Sequence, residues 1–209
     1  MQLISTDQIS GAPKQLIIGA SSIQKSLDTS ILSPLELKEW NEFKHDHRKA
    51  EFLTTRHLYH ALVREYLEGR TISSNELCKH EQGKPYALIN GEELYVSFAH
   101  TRTHVFAAIS KTLDIGIDAE NIGRSIHPRL LDRILNEQEY ALKEECDPIL
   151  LWTAKEAVVK LLGTGLRTNL NAITLKKCTE NEFLVRINDE NSFQICSFRE
   201  LDHQISIAY

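Results

Sequence analysis

Long apolar runs are missing from this 209-residue chain. No stretch is long enough to cross a bilayer, and no signal-peptide pattern is visible. Cysteine is sparse. Cys78, Cys146, Cys178 and Cys196 are widely scattered with no Cys-x-x-Cys, which excludes a disulfide framework or a cysteine zinc site and reads as reduced thiols. A basic excess is missing too. Lys and Arg total 24 against 29 Asp and Glu, a formal charge of −5. Nonspecific nucleic-acid binding draws its affinity from cationic phosphate contacts, so that class is disfavoured. Low-complexity tracts and short-period repeats are absent as well. The expectation is a soluble, cytoplasmic globule of one domain or two small ones, with no membrane or nucleic-acid partner.

What is present is concentrated in Leu151 to Gly163. The stretch suits a helix stopped by Gly163 and Gly165. Leu151, Ala154, Val158, Leu161 and Leu162 make one apolar face. Trp152, Glu156 and Lys160 recur every fourth residue and stack along another. Taken alone, Glu156 and Lys160 read as a solvated ion pair worth a few tenths of a kcal/mol.

Upstream, Leu113 to Glu120 alternates as a strand, with Leu113, Ile115 and Ile117 on one face. Asp114, Gly116, Asp118 and Glu120 fall on the other. Asp118 and Glu120 therefore point the same way and repel unless a cation sits between them. Such hard oxygen ligands suit magnesium, and Glu156 on the later helix would make a third.

At these residues the chain resembles the 4′-phosphopantetheinyl transferases, of the longer type that activates peptide, polyketide and siderophore synthetases. The carrying motifs are Gly83-Lys84-Pro85, Ala99-His100, Gly116-Ile117-Asp118-Ala119-Glu120 and the block from Trp152 to Lys160. They come in the family's order, from about Arg48 to Gly165. One position departs: Ala99 stands where the family usually has Ser. A lost neutral hydrogen bond costs about 0.5–1.5 kcal/mol, so weaker coenzyme A binding is expected and loss of activity is not.

The resemblance implies an α+β fold of two similar α/β halves with the active site in the cleft between them. Lys111-Thr112 is the junction, giving 1–112 as the coenzyme A-binding half and 113–209 as the metal-binding, catalytic half. It implies transfer of phosphopantetheine from coenzyme A to a serine of an acyl or peptidyl carrier protein, leaving 3′,5′-ADP. Asp118, Glu120 and Glu156 would hold Mg²⁺; Glu156 and Lys160 are the catalytic candidates. Arg56 (ahead of Arg48), Lys84, His100, Lys155 and Lys160 are the candidate coenzyme A contacts, with solvent as the alternative for Lys155. The resemblance also raises a catalytic role for Glu139, in competition with helix capping.

The rest of the chain reads locally. Ser33-Pro34-Leu35-Glu36 starts a helix with a capping box, and Arg48 to Leu67 is the longest helical pattern. Asn90-Gly91 marks a hairpin, and His100 ends a strand. His127-Pro128 opens a helix to Leu135, and Asn136 with Glu139 forms a second box. Arg124, Arg129 and Arg133 concentrate positive charge, with Leu130, Leu131 and Ile134 as apolar company, a candidate docking surface for an acidic carrier protein. A monomer is expected. Two other classes remain open: a magnesium-dependent phosphohydrolase and a non-catalytic coenzyme A or carrier-protein binder.

Overall fold

The structure, a computed structural model, describes residues 1–187 and 191–209. In chain order it runs β1 (Gln2–Ile4), β2 (Ile17–Ser22), α1 (Pro34–Glu42), α2 (Asp46–Leu67), β3 (Asn75–Lys79), β4 (Pro85–Ile89), β5 (Glu92–His100) and β6 (His104–Ser110). It continues with β7 (Gly116–Asn121), α3 (Pro128–Ile134), α4 (Leu142–Glu145), α5 (Pro148–Leu162), β8 (Ile173–Lys177), β9 (Glu182–Ile187), β10 (Asn191–Glu200) and β11 (His203–Ala208). This is a mixed α+β protein with two antiparallel sheets, ordered β1-β2-β6-β5-β4-β3 and β7-β11-β10-β9-β8. Among the described residues no helix is long and apolar enough to cross a membrane.

Three apolar clusters hold these layers. One lies between α2 and the first sheet, where Leu58, Leu62 and Val63 meet Val96, Val105 and Ala107. A second joins the two sheets through Ile18, Phe106, Ile117, Ala119, Ile205 and Ile207. The third packs α5 on the second sheet through Leu151, Ala154, Val158, Phe183 and Val185. Period-two alternation explains the division: Ile115, Ile117 and Ala119 face the first sheet, and the residues between them turn toward α5. The Ile117 amide donates to Ser97 Oγ at 3.0 Å, tying β7 to β5 across the sheets.

The local signals set the element ends. Ser33 and Glu36 close the capping box that starts α1. Asn90 and Gly91, both at positive φ, turn β4 into β5. Asp147 caps α5 with Pro148 at its first position, and Gly163 ends it in the left-handed region. The alternating stretch from Leu113 begins as a strand only at Gly116, because the Asp114 carboxylate folds back to accept the Ile115 amide at 2.8 Å. Tyr59 of α2 is buried, and its hydroxyl donates to Asn75 Oδ1 at 2.5 Å.

Candidate active site

A pocket of about 1730 Å³ opens between the two sheets' helices. Its walls include Arg48, Glu51 and Arg56 of α2, Phe98 and His100 of β5, and Trp152, Glu156, Val159 and Lys160 of α5. The four-residue spacing puts Trp152, Glu156 and Lys160 in one line on that wall. Lys160 reaches across to β7. Its ammonium donates to Asp118 Oδ1 at 2.8 Å and to the Phe98 carbonyl at 3.0 Å, so it joins the two sheets. The sequence pairing of Glu156 with Lys160 is thereby replaced by Asp118 with Lys160.

The charges around that link are unevenly matched. Burial pushes the Asp118 carboxyl above the ordinary range, against the pull of Lys160. Burial also pushes Glu156 up, and the nearby Asp118 carboxylate adds to it. Glu120 is held by Arg124, whose guanidinium lies 5.6 Å over the Trp152 ring. Two of the three expected magnesium ligands therefore sense each other, and the third is engaged by an arginine. Among the described residues no three His, Cys, Asp or Glu side chains form a ready metal group. The donor chemistry still fits a hard divalent cation, since a crowded carboxylate pair short of positive charge is what such an ion relieves.

Across the pocket each basic group faces a carboxylate. His100 Nε2 lies 3.8 Å from Glu51 Oε1, and Arg48 pairs with the same carboxylate. Burial, with Lys160 and Arg48 close by, holds the His100 imidazole below its ordinary pKa. Arg56 stacks 4.1 Å over Phe52 and gives its Nε to Glu36 Oε1 at 2.5 Å. Arg48, placed behind Arg56 on sequence grounds, is the more exposed of the two arginines on this wall. Ala99 is buried in the inter-sheet cluster and reaches the pocket wall.

Comparison with known proteins identifies the family. Residues 114–209 match the family model described as the 4′-phosphopantetheinyl transferase superfamily. A holo-[acyl-carrier-protein] synthase of Staphylococcus carnosus is 31% identical over 91 residues, 41% of this chain and 78% of that protein. The chain belongs to the 4′-phosphopantetheinyl transferase superfamily. A 4′-phosphopantetheinyl transferase, gsp, of Aneurinibacillus migulanus is 29% identical over 126 residues, 56% of this chain and about half (51%) of that protein's length. As a member of the superfamily the chain is an enzyme of the phosphopantetheinyl transferase class.

In this transferase one expected coenzyme A contact stands elsewhere than the sequence suggested, and a second is at the pocket but already partnered. Lys155 neither lines the pocket nor meets solvent. Its ammonium is fully buried, on Glu139 Oε2 (2.7 Å) and the carbonyls of Ile134 (2.7 Å), Leu170 (3.0 Å) and Ile173 (2.7 Å). Glu139 is buried with it. It closes the Asn136 box and accepts the Leu175 amide at 2.8 Å, so capping and an internal strut account for it. Lys84 borders the pocket with its ammonium already committed to Asp114 and to the Leu161 carbonyl.

The arginine patch is partly reassigned as well. Leu131 and Ile134 of α3 are buried in the core, and Ile134 also reaches the pocket wall. Leu130 and Arg133 border the pocket, and Arg129 and Arg133 are exposed. Sequence reasoning left out Arg167, which follows the α5 stop and lines the same pocket. The signal available for it was its place just beyond the Gly163-Thr164-Gly165 turn.

Proposed function

We propose that the chain transfers phosphopantetheine from coenzyme A to a serine of an apo acyl or peptidyl carrier protein, releasing 3′,5′-ADP. The observation that carries this reading is a pocket in an acidic chain whose walls bring Arg48, Arg56, His100 and Lys160 together with Glu156, with Asp118 bonded to Lys160. Such a wall suits a polyanion, and the carboxylates suit its counter-ion and a proton acceptor. Residues 1–112 would bind coenzyme A and 113–209 supply metal and catalysis, as two similar halves around the cleft. The synthetase-activating type and the cytoplasmic, monomeric state belong to the same proposal.

Asp118 and Glu156 would hold Mg²⁺, with Glu120 joining them on release from Arg124. When bound, that ion supplies charge stabilisation at the pyrophosphate. The chain's own residues do the rest. His100 and Lys160 hold phosphate oxygens, with Arg48 and Arg56 on the same wall. The carrier serine oxygen forms its bond to the β-phosphorus, and the bond to the 3′,5′-ADP oxygen breaks. Glu156 takes the serine proton. The carrier would dock near Arg124, Arg129, Leu130 and Arg133.

Intact-mass spectrometry of apo fatty-acid, polyketide and peptide carriers with coenzyme A and Mg²⁺ tests this. The expected result is one phosphopantetheine added, abolished by Asp118→Ala and by Glu156→Ala. Phosphate release without any carrier would instead support a hydrolase, and coenzyme A binding without transfer to any carrier would support a binding module. Arg48→Ala is expected to raise the coenzyme A KM about tenfold, the loss of one charge-assisted contact, with kcat little changed. An unchanged KM in steady-state assays would remove Arg48 from the binding wall.

A further inference from the structure

Lys84 occupies the turn that leads into β4, and the side chain does not reach for solvent. It is 10% exposed, and its ammonium donates to the Asp114 carboxylate and to the Leu161 carbonyl. That carbonyl belongs to the last turn of α5, where backbone oxygens lack helical partners and the helix carries its partial negative charge. A Cβ at Gly163 would strike the Lys84 stem at 2.9 Å, so the glycine both stops the helix and leaves room for the lysine. Asp114 lies just ahead of β7, the strand that carries Asp118, and Leu161 directly follows Lys160. One ammonium thus pins the first sheet's hairpin to the two elements that carry the proposed catalytic groups.

We infer that Lys84 is a positioning residue: it fastens the α5 C-terminus and the start of β7 to the first sheet, and so sets Lys160 and Glu156 against His100. It is not a phosphate ligand. The inference rests on the function proposed above. Lys84 is less exposed than the similarly partnered Lys160, 10% against 29%, and a phosphate could claim it only by breaking both contacts.

Asp114 makes the two roles separable. Its side chain is 47% exposed and lies outside the pocket lining, so Asp114→Asn removes the strut's anion without touching a ligand. Lys84→Met removes the cation and keeps the stem. If Lys84 positions α5, each variant lowers kcat about tenfold. Coenzyme A affinity by calorimetry then stays within about twofold, and the double variant is no worse than Lys84→Met alone. Amide hydrogen exchange at Leu161–Gly163 rises in both variants without any carrier protein. If Lys84 instead holds a phosphate, Lys84→Met weakens coenzyme A binding tenfold or more, Asp114→Asn does not, and exchange in Asp114→Asn matches wild type. That pattern overturns the inference. Should Lys84→Met fail to fold, Asp114→Asn decides through exchange and kcat. Failure of the function itself shows separately, as wild-type protein that modifies no carrier.

Discussion

Lys155→Met is expected to destabilise the protein by about 3–5 kcal/mol, the cost of stranding one member of a buried ion pair. The ammonium sits among four oxygens from four places: Ile134 at the end of α3, Glu139 before α4, Leu170 after α5 and Ile173 at the start of β8. Removing it leaves a carboxylate and three carbonyls facing one another inside the protein. Burial already pulls the lysine below its ordinary pKa while Glu139 pulls it back up, so each partner depends on the other. A double variant, Lys155→Met with Glu139→Gln, is expected to recover part of the loss, because the stranded charge is gone. Urea unfolding of the two variants and wild type measures this. A midpoint for Lys155→Met close to wild type would sink it. Glu156→Gln, one residue along the same helix, is expected to abolish transfer and leave the midpoint nearly unchanged. The adjacent pair thus divides fold from chemistry.

That division was not legible in the sequence. Lys155 and Glu156 sit side by side in a motif, and both read as site residues. What separates them is the angle of about a quarter-turn between neighbours on a helix. It turns Lys155 into the interior and Glu156 into the pocket. The interior position becomes tenable only because Glu139 and three carbonyls arrive from elsewhere in the chain. Lys84 is the same case at longer range, since its partners lie 30 and 77 residues away. Features decided within one turn were readable: both capping boxes, the Asn90-Gly91 hairpin and the Gly163 stop match their signals. The side-by-side placement of Asp118 and Glu120 on β7 was readable from period-two spacing. That Glu120 would be taken by Arg124 and Asp118 by Lys160 was not, because several cations compete for a few carboxylates and only packing decides among them.

The glycine that opens β7 carries the other large effect. Gly116 lies where β7 passes beneath α5, and a Cβ there would run into the carbonyl oxygen of Ala157 and the amide nitrogen of Leu161. Both are backbone atoms of a packed helix, so no side-chain rotation can relieve the clash. Gly116→Ala must push α5 off the strand. Lys160 and Asp118, now 2.8 Å apart, ride on those two elements and would separate. The expected outcome is a stability loss of about 1–3 kcal/mol together with a fall in transfer rate of about a hundredfold, as displaced catalytic groups cost more than the packing itself. Gly123→Ala, further along the same chain segment, is the control. A Cβ there meets only the Asn121 side chain, at 3.0 Å, and both effects should be small. Thermal unfolding and initial rates with one apo-carrier compare the two. If Gly116→Ala behaves like Gly123→Ala, the strand and helix can part without cost, and the close approach would not be what holds Asp118 to Lys160.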